Sequence, residues 1–130
     1  QAAILLAKFK IFPEELELRQ GVARRYNELL ANGVKTPEVP NGYRSAWAQY
    51  SILVRDGAER SARIAKLKEA GIPTAIYYPK PLHLQTAFSG LGYKEGDFPV
   101  SEDCARRIFS LPMHPYLAAG EQRRIAALFP

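Results

Sequence analysis

Between Ile72 and Gln85 the chain places two phenols, an ammonium and an imidazole close together: Tyr77, Tyr78, Lys80 and His83. Each has an ordinary structural use. A strand tyrosine half-buries its ring and finds a surface partner for its hydroxyl, a loop lysine is solvated, and a loop histidine can staple the chain to a neighbour. As a set they describe a different chemistry. Lysine serves as a point charge for phosphate or carboxylate, while tyrosine and histidine give directional hydrogen bonds to hydroxyls. A phosphorylated or carboxylated sugar is the ligand such a set suits, and the residues alone carry the reading as far as an anionic small molecule. Successive strand side chains point to opposite faces, so on a regular strand at most one of Tyr77 and Tyr78 normally faces a given site.

Other chemistries find little support. His83 and His114 stand 31 positions apart, and no cysteine pair or close His–His spacing suggests a metal. No Walker loop occurs, and Gly90-Leu91-Gly92 does not open a helix after a strand. Cys104 falls on the inward face of a predicted helix, which reads as packing and not as an activated thiol. Serine, histidine and aspartate are present without a spacing that suggests a triad.

The elements that must position the focal residues follow from pattern. Ala2, Leu5, Leu6 and Phe9 recur at helical spacing over 2–10. Pro13 opens a second helix to about Ala31, with Glu14, Glu15 and Glu17 at its positive end and Asn32-Gly33 as a left-handed cap. Ser45–Val54 alternates as a strand, with Ala48, Tyr50, Ile52 and Val54 on the apolar row. Asp56 and Glu59 have capping-box spacing for a helix that stops at Gly71. Thr74–Tyr78 reads as a strand ended by Pro79 and Pro81, so 45–78 forms a strand–helix–strand unit, right-handed if its strands are parallel. Ser101 caps a short helix with Glu102 and Asp103 in its first turn and Cys104, Ala105 and Ile108 turned inward. Phe109–Met113 is a third short strand, and Gly120–Phe129 a last helix. The sum is an α+β fold, a sheet of about three strands with helices packed on one side. Residues 1–32 read as a helical lead-in and 33–130 as a small α+β domain.

At 130 residues the chain suits one domain with an ordinary composition, 47% hydrophobic and 24% charged. No apolar run approaches the roughly 18 residues of a membrane helix, and a lone cysteine fits a reducing cytoplasm. The net charge of +5 comes from scattered cations, of which Arg24-Arg25, Arg106-Arg107 and Arg123-Arg124 are isolated pairs. The chain begins at Gln1, already in helical pattern and without an N-cap, so it is expected to be part of a longer protein.

Six strings occur in a telling order: Gln1-Ala2-Ala3-Ile4-Leu5, Tyr26-Asn27, Ser45-Ala46-Trp47-Ala48-Gln49-Tyr50, Ala70-Gly71-Ile72-Pro73-Thr74, Tyr78-Pro79-Lys80-Pro81-Leu82-His83 and Leu111-Pro112-Met113-His114-Pro115. In these the chain resembles the C-terminal portion of the DegT/DnrJ/EryC1/StrS sugar aminotransferases, fold-type-I enzymes that use pyridoxal 5'-phosphate (PLP). The nearest likeness is to members that aminate a UDP-linked 3-keto hexuronic acid for surface polysaccharide such as lipopolysaccharide O-antigen. The resemblance implies that PLP and its Schiff-base lysine belong to a large domain ahead of this chain, so none of the seven lysines is assigned to PLP and no residue here is catalytic. It implies a cytoplasmic homodimer, with an amino-acid donor (glutamate) and a UDP-sugar as ligands, and no nucleic-acid or membrane partner. It carries over Tyr78 and His83 as substrate-binding. Tyr77 stands where relatives often place histidine, and Lys80, at a variable position, is assigned to phosphate or carboxylate by its charge. Two rival readings remain: a basic nucleic-acid-binding module, from the net charge and exposed tyrosines, and a non-catalytic sugar-nucleotide-binding domain.

Overall fold

The computed structural model describes residues 1–129; Pro130, the last position of the expected 33–130 domain, lies outside them. Helix α1 spans Ala2–Phe9 and α2 Phe12–Leu30, followed by strand β1 (Tyr50–Leu53), α3 (Gly57–Glu69), α4 (Pro99–Arg107), β2 (Ile108–Leu111) and α5 (Ala119–Ala126). Two 3-10 turns, Leu82–Leu84 and Thr86–Leu91, shape the long connection before α4.

β1 and β2 pair antiparallel, with Tyr50 opposite Leu111 and Ile52 opposite Phe109. Those four side chains share one face by the strand period. Val22, Ala23, Tyr26 and Leu30 of α2, Leu67 of α3, and Ile125 and Ala126 of α5 join them in a single buried cluster. The helices thus cover one face, and α2 shares its core with the elements after residue 33. On the opposite face the hydroxyls of Ser51 and Ser110 bond at 2.7 Å.

The sheet has two strands, not about three. The segment expected as the strand Thr74–Tyr78 makes one antiparallel bridge, between Ala75 and Ser110. Pro73 and Pro79 flank it and supply no ladder N–H, so pairing cannot spread. Because β2 runs antiparallel to both, this segment runs in the direction of β1 with β2 between them. The expected strand Ser45–Val54 shrinks to Tyr50–Leu53 for another reason. Trp47 has φ 50°, a left-handed conformation that breaks extension and turns its ring into the core. Four hydrogen bonds offset that strain: Arg19 to the Trp47 carbonyl (2.9 Å), the Trp47 indole N–H to Gln20 (2.9 Å), Gln20 to the Ser45 carbonyl (2.6 Å) and the Trp47 N–H to the Ser45 hydroxyl (3.1 Å).

Caps divide the same way. Asp56 accepts from the Glu59 N–H at 2.8 Å, and the Glu59 carboxylate reaches back to the Arg55 N–H at 3.0 Å, one residue ahead of the N-cap. Gly71 closes α3 with φ 71°. Gly33 does not take that conformation; α2 ends in a plain turn from the Gly33 N–H to the Leu30 carbonyl. α4 begins at Pro99, ahead of Ser101, since proline is preorganised for the first helical turn.

Candidate functional site

Ile72 is buried, Ala75 is tied to β2, and Ile76 packs against the core, so the strand-like part of the focal segment is anchored. Past that anchor the chain turns outward. Tyr77 and Tyr78 are 53% and 68% exposed, and Lys80 is exposed as well. Tyr77 borders a polar cleft of about 210 Å³ beside the end of β2, with Gln49, Thr74, Ser110 and Met113 among its walls. Its lining offers hydroxyls and an amide and no charge, a set that can donate to and accept from the hydroxyls of a sugar. Of the four predicted residues Lys80 is the standing cation, exposed three residues after Tyr77 and outside the lining of that cleft.

His83 lies apart from this exposed group. It is buried, its Nε2 sits 3.0 Å from Glu102 Oε1, and its ring packs beside Phe98 with centroids 4.7 Å apart. A carboxylate can only accept, so Nε2 carries the proton and donates. The ring also walls an apolar hollow of about 340 Å³ formed with Leu82, Phe88, Leu91, Tyr93 and Phe98. The structure therefore brings Tyr77, Tyr78 and Lys80 to one exposed edge and roots His83 in the loop base behind it.

Glu102 escapes a reading of sequence alone. In first-turn position it looks like a solvated acid favouring the helix dipole, yet it is buried, with a carboxylate that accepts from His83, from the Gly96 N–H (2.9 and 3.1 Å) and from the Phe98 N–H (3.4 Å). Burial alone pushes its carboxyl up; the Gly96 N–H, His83 and the Phe98 N–H outweigh that and hold it below the usual carboxylate range. The signal for it is faint: a buried histidine needs a partner, and nothing in the sequence says which acid that is.

All seven lysines are exposed and none borders a described cleft, so the residues present do not fit the enclosed amine that a Schiff base with PLP requires. Among the described residues no cluster of three or more His, Cys, Asp or Glu is placed to hold a metal, and no helix is long and apolar enough to cross a membrane.

Residues 1–129 match the DegT/DnrJ/EryC1/StrS aminotransferase family. A UDP-2-acetamido-2-deoxy-3-oxo-D-glucuronate aminotransferase of Pseudomonas aeruginosa is 41% identical over 98% of the chain and 34% of its own length. In three dimensions the chain superposes on a DegT/DnrJ/EryC1/StrS aminotransferase from Brucella abortus with a TM-score of 0.89 and 51% identity, covering 99% of this chain and 34% of that one. It also superposes on the PLP form of a sugar aminotransferase from Streptococcus pneumoniae, with a TM-score of 0.84 and 26% identity over 95% of this chain and 32% of the other. The chain thus spans about a third of the length of the relatives it matches.

Proposed function

The chain belongs to the DegT/DnrJ/EryC1/StrS aminotransferase family, and from that premise we propose that it forms the sugar-facing part of a PLP-dependent enzyme that aminates a nucleotide-linked ketosugar. The substrate read from the resemblance is a UDP-linked 3-keto hexuronic acid, with glutamate as amino donor and surface polysaccharide as the destination; 41% identity to the Pseudomonas aeruginosa enzyme supports it. PLP supplies the electron sink for amino transfer when bound. Its lysine is assigned to polypeptide beyond these residues, since no amine here is enclosed.

The observation that carries the reading is the exposed edge at 77–80 beside a cleft of uncharged donors and acceptors. There Tyr77 and Tyr78 bond sugar hydroxyls, and Lys80 faces the carboxylate or a phosphate as a point charge. His83 gives its Nε2 to Glu102 and keeps Nδ1 as its remaining polar atom for ligand. We place the enzyme in the cytoplasm as a homodimer whose site this domain closes against its own large domain.

The nucleic-acid reading loses its footing in the arginines. Arg19, Arg25, Arg60, Arg63, Arg107 and Arg124 each donate to a main-chain carbonyl elsewhere in the fold, so six of the eleven arginines act as internal staples. The test is amino transfer by the full-length protein from glutamate to a UDP-linked 3-keto hexuronate, followed as 2-oxoglutarate released. Tyr78→Ala and Lys80→Ala are expected to raise KM for the ketosugar roughly tenfold each, the effect of one lost charged or directional contact. No transfer to any nucleotide-linked ketosugar would reject the proposal.

A further inference from the structure

The Glu102 carboxylate has no role in the ligand contacts just assigned, yet it is buried and accepts from three residues on two separate parts of the chain. Burying a charge carries a desolvation penalty, and apolar side chains of similar volume would pack the same space without it. What a carboxylate adds is direction. His83 lies at the beginning of the connection from Leu82 to Phe98, and Gly96 and Phe98 lie at its end, so one side chain ties both ends of that loop to the first turn of α4.

The tie reaches the exposed edge through a short, stiff path. His83 stands three residues after Lys80 and five after Tyr78, and two of the intervening residues are Pro79 and Pro81, whose φ is locked and whose predecessors are held extended. Gln85 adds a hydrogen bond from Nε2 to the Lys80 carbonyl at 3.3 Å. At the other end, the Ala75–Ser110 bridge fixes the chain two residues before Tyr77. Tyr77, Tyr78 and Lys80 are therefore spanned between a sheet bridge and a buried carboxylate, with few free torsions between.

We infer that Glu102 is a positioning residue for sugar binding: through His83 it holds the 77–80 edge in the orientation that meets the nucleotide-linked ketosugar. This rests on the proposed function. Misplacement of binding groups by about 1 Å is enough to lose up to a hundredfold in efficiency. In the full-length enzyme, Glu102→Ala is expected to raise KM for the ketosugar roughly ten- to a hundredfold, while the release of 2-oxoglutarate from glutamate in the donor half of the reaction stays unchanged. Glu102→Gln keeps one acceptor oxygen and recovers part of the loss. If the alanine variant fails to fold, the glutamine variant reads the same split. Adding His83→Ala to Glu102→Ala raises KM by less than His83→Ala does in the wild type, because both substitutions cut one connection and only the ligand contact of His83 is left to lose. Hydrogen exchange gives a readout apart from turnover: the Gly96 and Phe98 amides, protected in the wild type, exchange faster in both Glu102 variants.

An unchanged ketosugar KM in these variants, or an equal fall in both halves of the reaction, overturns the inference. A wild type that aminates no nucleotide-linked ketosugar removes the functional reading and this role with it. A wild type that is active but indifferent to Glu102 removes this role alone.

Discussion

At the scale of single residues the fold turns on a few buried polar groups, and their titration sets where it fails. The Glu102 carboxyl lies below the ordinary glutamate value of about 4.3 because its three hydrogen-bond partners outweigh its burial. Its folded form thus binds fewer protons than its unfolded form in the window between the two values. The contribution is complete above the ordinary value and is lost as pH falls through the lowered one. Protease cleavage between Leu82 and Phe98 is expected to appear below about pH 4 while the core stays folded; cleavage equally slow at acid and neutral pH would contradict this. Tyr26 and Tyr50 mark the opposite limit. Burial pushes both phenols up; they stack 4.8 Å apart, with the Tyr26 hydroxyl donating to the Pro112 carbonyl at 3.1 Å. A raised phenol contributes stability that is whole below the unfolded value of about 10 and declines as pH rises beyond it. Unfolding midpoints in urea should therefore fall above about pH 10, and less steeply in Tyr26→Phe. Both side chains were legible as inward-facing, Tyr26 from helical spacing and Tyr50 from the apolar row of its strand, and both are buried; that the two rings stack on each other was not, because they come from α2 and β1, far apart in sequence.

At the scale of elements, local chemistry shows in the sequence and distant contacts do not. The Asp56 cap and the Gly71 stop are properties of a few neighbouring residues, and both are found in the structure. Asp56→Ala should destabilise the protein by about 1 kcal/mol, the usual worth of an N-cap, read from the denaturant midpoint. Trp47 and the 74–78 segment went the other way. Alternation predicts strands there, but a left-handed tryptophan held by α2 and a pair of flanking prolines override it. The joint between α2 and α5 was equally out of reach. Gln122 is fully buried, donates to the Val22 carbonyl at 2.9 Å and accepts from Arg25 at 2.6 Å across about a hundred residues of sequence. Gln122→Leu fills the space but strands both partners, so a loss of about 1–3 kcal/mol is expected. If stability were unchanged, the α2–α5 joint would be held by its apolar contacts alone.

At the scale of the whole molecule, the apolar surface is divided unevenly. The core gathers residues from α2, both strands, α3 and α5, but α1 contributes none. Ile4, Leu5, Leu6 and Phe9 are each more than half exposed, and the Phe9 ring meets the Phe12 ring edge-on, with centroids 6.2 Å apart. An eight-residue helix falls short of the roughly 12–15 residues that make even a favourable sequence helical alone in water. A persistent α1 in the functional protein therefore needs a covering surface, and in a longer polypeptide of this family the remaining two-thirds of the length is available to supply it. Two measurements follow. In the 130-residue chain alone, α1 amides are expected to exchange at nearly unprotected rates, and the chain to self-associate through this ridge, as exposed apolar patches do. Leu5→Glu with Phe9→Glu should abolish that association without moving the unfolding midpoint, since neither side chain reaches the core. In the full-length protein the same amides should be protected and the same pair of substitutions destabilising. Equal exchange of α1 in the two forms would mean that nothing covers the ridge, and that the helix persists on its contacts with α2.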